Sequence, residues 1–169
     1  EFMSYDSRLM PVTMAKIILA YTYHDMVYVP GSPDNEARSA EAWIADAKRL
    51  GINDYRIEVV ANAIRRTDHQ SASLHGVEAW VSDLDLIRLA ADPEQFDEYS
   101  RQVFLEYRVP RDKIEEAMLA RKNPLQKFLD RPSIYFTEIG ESLEDKARAN
   151  LRRIGCIDPR LNQPSVRPH

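Results

Sequence analysis

Apolar positions recur at helical spacing through most of the chain, and proline, glycine and capping residues mark the breaks between these stretches. From Val12 to about Val29, Ile17, Ile18, Tyr21 and Met26 form a wide apolar stripe, which Pro30-Gly31-Ser32-Pro33 stops. Asp34, Asn35 and Glu36 place negative charge at the start of a second helix, where it meets the positive end of the helix dipole. Ala40, Trp43, Ile44 and Ala47 line that helix until Gly51 closes it. A third starts near Asn53 and uses Ile57, Val60, Ala61 and Ile64. Thr67 to Gly76 is polar and reads as a loop, followed by a short apolar segment from Val81 to Ala91. Asp92-Pro93-Glu94-Gln95 is a helix start: a cap candidate, proline at the first helical position, and Gln three residues after the cap. Phe96, Tyr99, Val103 and Tyr107 follow on one face. Pro110 and Pro124 separate two more helices, one with Ile114, Met118 and Leu119, the other with Leu125, Phe128 and Leu129. Ile134-Tyr135-Phe136-Thr137 has strand-like composition but stands alone, so it reads as an ordered loop. Ser142 to Ile154 is the last helix. Trp43, Tyr99 and Tyr107 each fall on a periodic face and are expected in the core.

The pattern predicts an all-α fold, and composition agrees. Only five glycines occur in 169 residues, while Ala, Leu, Glu and Arg are abundant. That length suits one domain, and no internal repeat or low-complexity linker divides it. The expected domain covers residues 12–155. Residues 1–11 read as a loose arm, with Glu1-Phe2 before Met3 as a cloning remnant, and 156–169 as a flexible tail. A formal net charge of −4 argues against broad nucleic-acid binding, which needs a basic surface to displace counterions. The single cysteine, Cys156, fits a reducing compartment. The apolar stretch Met14 to Tyr23 is interrupted by Lys16 and too short to span a bilayer, and no signal peptide stands at the start. The expectation is a cytoplasmic protein with no membrane partner.

Candidate chemistry gathers at few positions. The histidines are His24, His69, His75 and His169. His24 is followed by Asp25 within the predicted first helix, and a divalent metal is an effective partner for such a pair. A helix-capping or salt-bridged pair near Pro30 is the alternative. Ser82-Asp83-Leu84-Asp85-Leu86 offers two carboxylates, either able to ligate a hard cation; Asp83 can equally cap a helix. Arg65-Arg66-Thr67-Asp68-His69 ends a helix with basic groups that suit either solvent or a phosphate.

In this order, the residues resemble the HD superfamily of metal-dependent phosphohydrolases, and a bacterial subgroup of it most closely. The resemblance rests on His24-Asp25-Met26-Val27-Tyr28 running into Pro33-Asp34-Asn35-Glu36-Ala37-Arg38-Ser39, on Thr67-Asp68-His69, and on Asp83 to Leu86. Glu106-Tyr107, Arg131-Pro132-Ser133-Ile134-Tyr135 and Ala147 to Leu151 extend it over residues 17 to 154. It implies a single-domain helical bundle of the HD type that binds one or two divalent metal ions (Mn, Mg, Fe, Co or Zn). His24, Asp25 and Asp85 would be ligands, with Asp83 as a further candidate. His69 would contact substrate phosphate or a second metal, Asn35 and Glu36 would position water, and Arg65, Arg66 or Arg38 would neutralise phosphoryl oxygens. The implied reaction is hydrolysis of a small phosphorylated compound, such as a nucleotide, by water that the cation activates.

Two features depart from the family pattern. No histidine precedes His24, although the family carries another ligand on an earlier helix, and Phe104 stands where relatives tend to have arginine. Asp6, His75 or a partner subunit would have to substitute for the missing ligand. These departures keep a second expectation open: an inactive HD-fold protein that binds a ligand or a protein. The family's earlier ligand helix, missing here, would leave apolar surface for a second copy to cover, so a homodimer is also expected.

Overall fold

The computed structural model describes residues 9–106, 108–114, 116 and 125–156. Among these the secondary structure is helical, with no strand. The backbone divides into two compact units, Glu1–Asp85 and Leu86–His169. The expected arm residues 1–8, the tail 157–169, and Tyr107, Met118 and Leu119 lie outside the described residues.

In the first unit, α1 (Leu9–Tyr23), α2 (Asn35–Arg49), α3 (Asp54–Arg65) and α4 (Gly76–Asp85) pack around Ile17, Ala20, Trp43, Ile57, Ile64 and Val81. Trp43 is buried, and its indole N–H donates to the Ile57 carbonyl at 2.9 Å. The turn between α2 and α3 follows from the sequence. Gly51 adopts φ +70°, its N–H bonds the Lys48 carbonyl, and the next N–H, of Ile52, reaches back to Ala47 at 3.0 Å. This is a Schellman closure, with Ile52 packing toward the same core as Ala47. Two residues on, the Asn53 side chain accepts from Arg56 N at 3.0 Å and starts α3. A Cβ at position 51 meets no atom within 4 Å, so Gly51→Ala is expected to be destabilising through backbone conformation alone. The expected loss is about 1 kcal/mol in urea unfolding.

The first helix is shorter than the periodicity predicts. It ends at Tyr23 rather than near Val29, so His24 and Asp25 lie in the turn beyond it. The cause is tertiary. Ser39 and Asn35 on α2 take the backbone of the following segment: Val27 N donates to Ser39 Oγ at 3.0 Å, and Val29 N donates to Asn35 Oδ1 at 2.9 Å. Asn35 Nδ2 returns a bond to the Val29 carbonyl, also at 2.9 Å. Backbone groups held this way cannot continue an α-helical ladder. The end of α1 is itself fixed by the Tyr23 hydroxyl, which donates to Asp46 on α2 at 2.9 Å.

Among its described residues, the second unit opens with a 3₁₀ turn, Ile87–Ala90, then α5 (Pro93–Glu106), a turn at Arg111–Lys113, α6 (Gln126–Leu129), α7 (Glu138–Glu141) and α8 (Glu144–Arg153). Its core contains Leu89, Phe96, Leu129, Ile134, Tyr135 and Leu151. Residues 134–137 form no strand, as their isolation predicts. They are an ordered, inward-facing segment: Ile134 and Tyr135 are buried, and the Tyr135 hydroxyl donates to the Leu86 carbonyl. Asn150 donates to the Leu89 and Ala91 carbonyls, both at 2.9 Å, closing the 3₁₀ turn against α8. Phe104 is buried.

Candidate functional site

Four residues from three separate stretches of sequence meet in the first unit. His24 follows the C-terminal end of α1, where the last carbonyls lack partners within the helix. Its Nδ1 takes one of them, donating to the Tyr21 carbonyl at 2.6 Å, and the Tyr21 ring stacks on the imidazole with centroids 5.0 Å apart. With Nδ1 so placed, Nε2 faces Asp25 at 3.2 Å and Asp85 at 3.3 Å. Asp85 is the last residue of α4, and its other oxygen lies 2.7 Å from His69 Nε2. A carboxylate only accepts, so His69 donates from Nε2, and the Ser82 hydroxyl faces its Nδ1 at 3.3 Å. Ser82 and Asp85 are three residues apart and share a face of α4.

His69 is held in the left-handed region, φ +58°, after the 3₁₀ turn Arg66–Asp68. An L-residue adopts this conformation at a cost of about 1–2 kcal/mol. Its ring is nonetheless buried and bonded to Asp85, which offsets the strain.

The charges are strongly coupled. Burial disfavours a charged His24, but the hydrogen bonds to Asp25 and Asp85 outweigh it, raising its pKa from about 6.5 to about 11. Burial acts on Asp85 in the opposite sense and is likewise overcome: His24 and His69 hold its carboxyl well below the usual carboxylate range. Both His24 nitrogens face acceptors, so geometry and charge agree on an imidazolium. The folded chain keeps the His24 proton that an unfolded chain releases above about pH 6.5, so this contribution is complete below that pH and declines toward about 11. The Asp85 contribution is present above the ordinary carboxylate pKa, about 4, and is lost in more acid solution. In chelator, unfolding midpoints are therefore expected to peak near pH 5–6 and to fall at higher pH. Buried Cys156, its thiol pushed up from 9 to about 12, adds an alkaline loss of its own. The His24 effect is thus read between pH 6.5 and 9, where His24→Gln is expected to flatten the decline.

The other predicted residues lie elsewhere. Asp83 is buried on α4, but two residues along a helix turn it about 200° from Asp85, so the two carboxylates do not share a site. Asn35 is turned to the backbone: both ends of its amide hold Val29. Glu36 is half-buried in the first turn of α2, and among the described residues no hydrogen bond or ion pair ties it to the cluster. Arg65 pairs with Glu58 and Asn62, each at 3.0 Å, and Arg66 with the Ser71 hydroxyl at 3.2 Å. Arg38 is exposed. His75 pairs with Ser73 in an exposed loop, and Asp6 lies outside the described residues. The groups that sequence reading missed are Ser82 and Tyr21. The signal for both was register, since each lies three residues before a cluster member.

Among the described residues, no group of three or more His, Cys, Asp or Glu side chains is laid out as a ready metal site. The cluster instead pairs its donors and acceptors directly. Its spacing still fits a shared ion: ligands at about 2.0–2.2 Å from a cation and at right angles to one another stand about 3 Å apart. The separations of His24 Nε2 from the two carboxylates are 3.2 and 3.3 Å. The bond from Nδ1 to a backbone carbonyl is also the support that metal-ligating histidines ordinarily have. No protein-family model, curated protein or solved structure matches the chain. Among the described residues, no helix is long and apolar enough to cross a membrane.

Proposed function

We propose that the chain is an HD-type phosphohydrolase acting on a small phosphorylated compound, with His24, Asp25 and Asp85 as ligands for one divalent cation. The observation that carries this reading is the approach of one imidazole to two carboxylates, from positions 24, 25 and 85, within 3.3 Å. Imidazole with carboxylate suits Mn, Fe, Co or Zn, and Mg by its oxygen donors. Such a cation supplies Lewis acidity and lowers the pKa of water. The chain's own part is positional. Tyr21 aims His24, Ser82 aims His69, and Asn35 with Ser39 fixes the turn that presents Asp25. His69 stands beside the cation ligands, and it would reach a phosphoryl oxygen by giving up the bond from its Nε2 to Asp85. Cation binding must displace the His24 proton, so affinity rises with pH and binding releases a proton. The test is calorimetric titration with Mn²⁺ in buffers of differing ionisation enthalpy, alongside turnover of p-nitrophenyl phosphate. Saturable binding with proton release and Mn²⁺-dependent turnover are expected. A folded protein that neither binds Mn²⁺, Mg²⁺ or Zn²⁺ nor turns over phosphate esters would overturn the reading.

One observation favours the second reading, an inactive relative. The four side chains satisfy one another without an ion, so they also work as a knot joining the end of α1 to α4. In that case the same titration shows no heat, while cluster variants still lose stability.

A further inference from the structure

α1 is apolar around nearly its whole circumference. In its 15 residues the only charged side chain is Lys16, and a helix of that kind normally lies inside a protein. Among the described residues it is covered on one side only. Ile17 and Ala20 are buried, whereas Met10, Val12, Met14, Ile18 and Tyr21 are each between 41% and 57% exposed. At about 100° per residue, the uncovered arc running from Met10, Tyr21, Met14 and Ile18 through Pro11 to Ala15 spans about 140°, and half-buried Leu19 separates it from exposed Val12. It carries no charge, and the Thr22 hydroxyl within it is already bonded to the Ile18 carbonyl at 2.7 Å.

We propose that this face of α1 is a two-fold interface with a second copy of the chain, in which the two α1 helices pack antiparallel. Two observations select this occupant. First, Met10, Met14, Ile18 and Tyr21 are placed nearly symmetrically about position 16. A two-fold axis there sets Met14 of one copy against Ile18 of the other, and Met10 against Tyr21, so the stripe complements itself as a two-fold contact requires. Second, the size fits. Together with exposed Met26, Tyr28 and Val29 in the adjoining segment, the uncovered apolar side chains present on the order of 700 Å², against about 800 Å² per partner in a standard interface. An uncharged stripe also asks for an uncharged partner surface, which a second α1 provides. The interface stands whether or not the His24 cluster is catalytic.

The pairing predicts a specific cross-link. Neither Met14→Cys nor Ile18→Cys alone places two introduced thiols opposite each other, whereas a mixture of the two variant chains does. Mild oxidation is expected to give a disulfide-linked dimer from the mixture and little from either variant by itself, with Cys156 buried and silent. Light scattering is expected to show a dimer for the unmodified chain and a monomer of unchanged helicity for Met14→Glu. Adding Ile18→Lys to Met14→Glu is expected to restore the dimer, because each new carboxylate then faces a new ammonium across the axis. A monomeric unmodified chain, or cross-linking that does not depend on mixing, would overturn the proposal. A monomer would assign the face to a different protein. Should Met14→Glu fail to fold, the uncharged cysteine pair still decides.

Discussion

Asp85→Asn is expected to remove cation binding and any phosphate-ester turnover, while leaving a folded protein of reduced stability. Asparagine keeps the shape of the side chain but loses the charge that His24 and His69 share, at 3.3 and 2.7 Å. Changing a group that merely supports a metal ligand lowers affinity by roughly 10–100-fold, and loss of a direct ligand should exceed that. Without the Asp85 charge, the hydrogen bonds that raise His24 are those to Asp25 and to the Tyr21 carbonyl, so its pKa falls from about 11 toward the ordinary range. A charge-assisted hydrogen bond contributes about 1.5–3 kcal/mol, and a loss of that order is expected in chelator. The two measurements separate the two functional readings. Lost stability with lost cation binding supports the hydrolase. Lost stability in a chain whose unmodified form binds no cation leaves only the knot between α1 and α4. Unchanged turnover in Asp85→Asn would refute the assignment of Asp85 as a ligand. Asp83→Asn is the matched control, because Asp83 faces away along the same helix.

Helices were readable where local chemistry decides them. Asn53 caps α3, Gly51 ends α2 and Pro93 opens α5 because the short-range hydrogen bonds and backbone angles involved are properties of those residues. The end of α1 was not readable. Val27 and Val29 suit the apolar stripe, and only the side chains of Ser39 and Asn35, from another helix, remove them from it. The same limit governs the site. His24, Asp25, His69 and Asp85 stood out as candidates, and register on α4 separates Asp85 from Asp83. That Asn35 would serve the backbone, and that Arg65 would pair with Glu58 and Asn62, depends on where each side chain ends after packing. Likewise Arg148 and Asn150 drew notice as part of a family-like segment, yet both act through bonds to backbone carbonyls, which no sequence pattern displays.

Arg148→Met is expected to be the most destabilising single change, with a loss of about 4 kcal/mol or more. Arg148 is fully buried on α8, its Nε bonded to Glu144. Its other nitrogens donate to the carbonyls of Leu129 at 3.0 Å, Arg131 at 2.7 Å and Pro132 at 3.1 Å. Glu144 in turn accepts from the Ile134 and Tyr135 amides, so one ion pair fastens residues 129–135 to α8. Methionine fills much of the volume but strands a poorly exposed carboxylate and three carbonyls. Breaking a buried pair from one side costs about 3–5 kcal/mol, set against a total of about 5–15 kcal/mol for a native protein. Urea unfolding followed by circular dichroism measures the loss, and a change below about 1 kcal/mol would refute the argument. Arg148→Lys should rescue little, since a single ammonium cannot reproduce the planar fork that spans Glu144 and three carbonyls. Glu144→Gln added to Arg148→Met should recover part of the stability by removing the uncompensated charge. That recovery would separate an electrostatic knot from simple loss of packing, which the second change cannot restore.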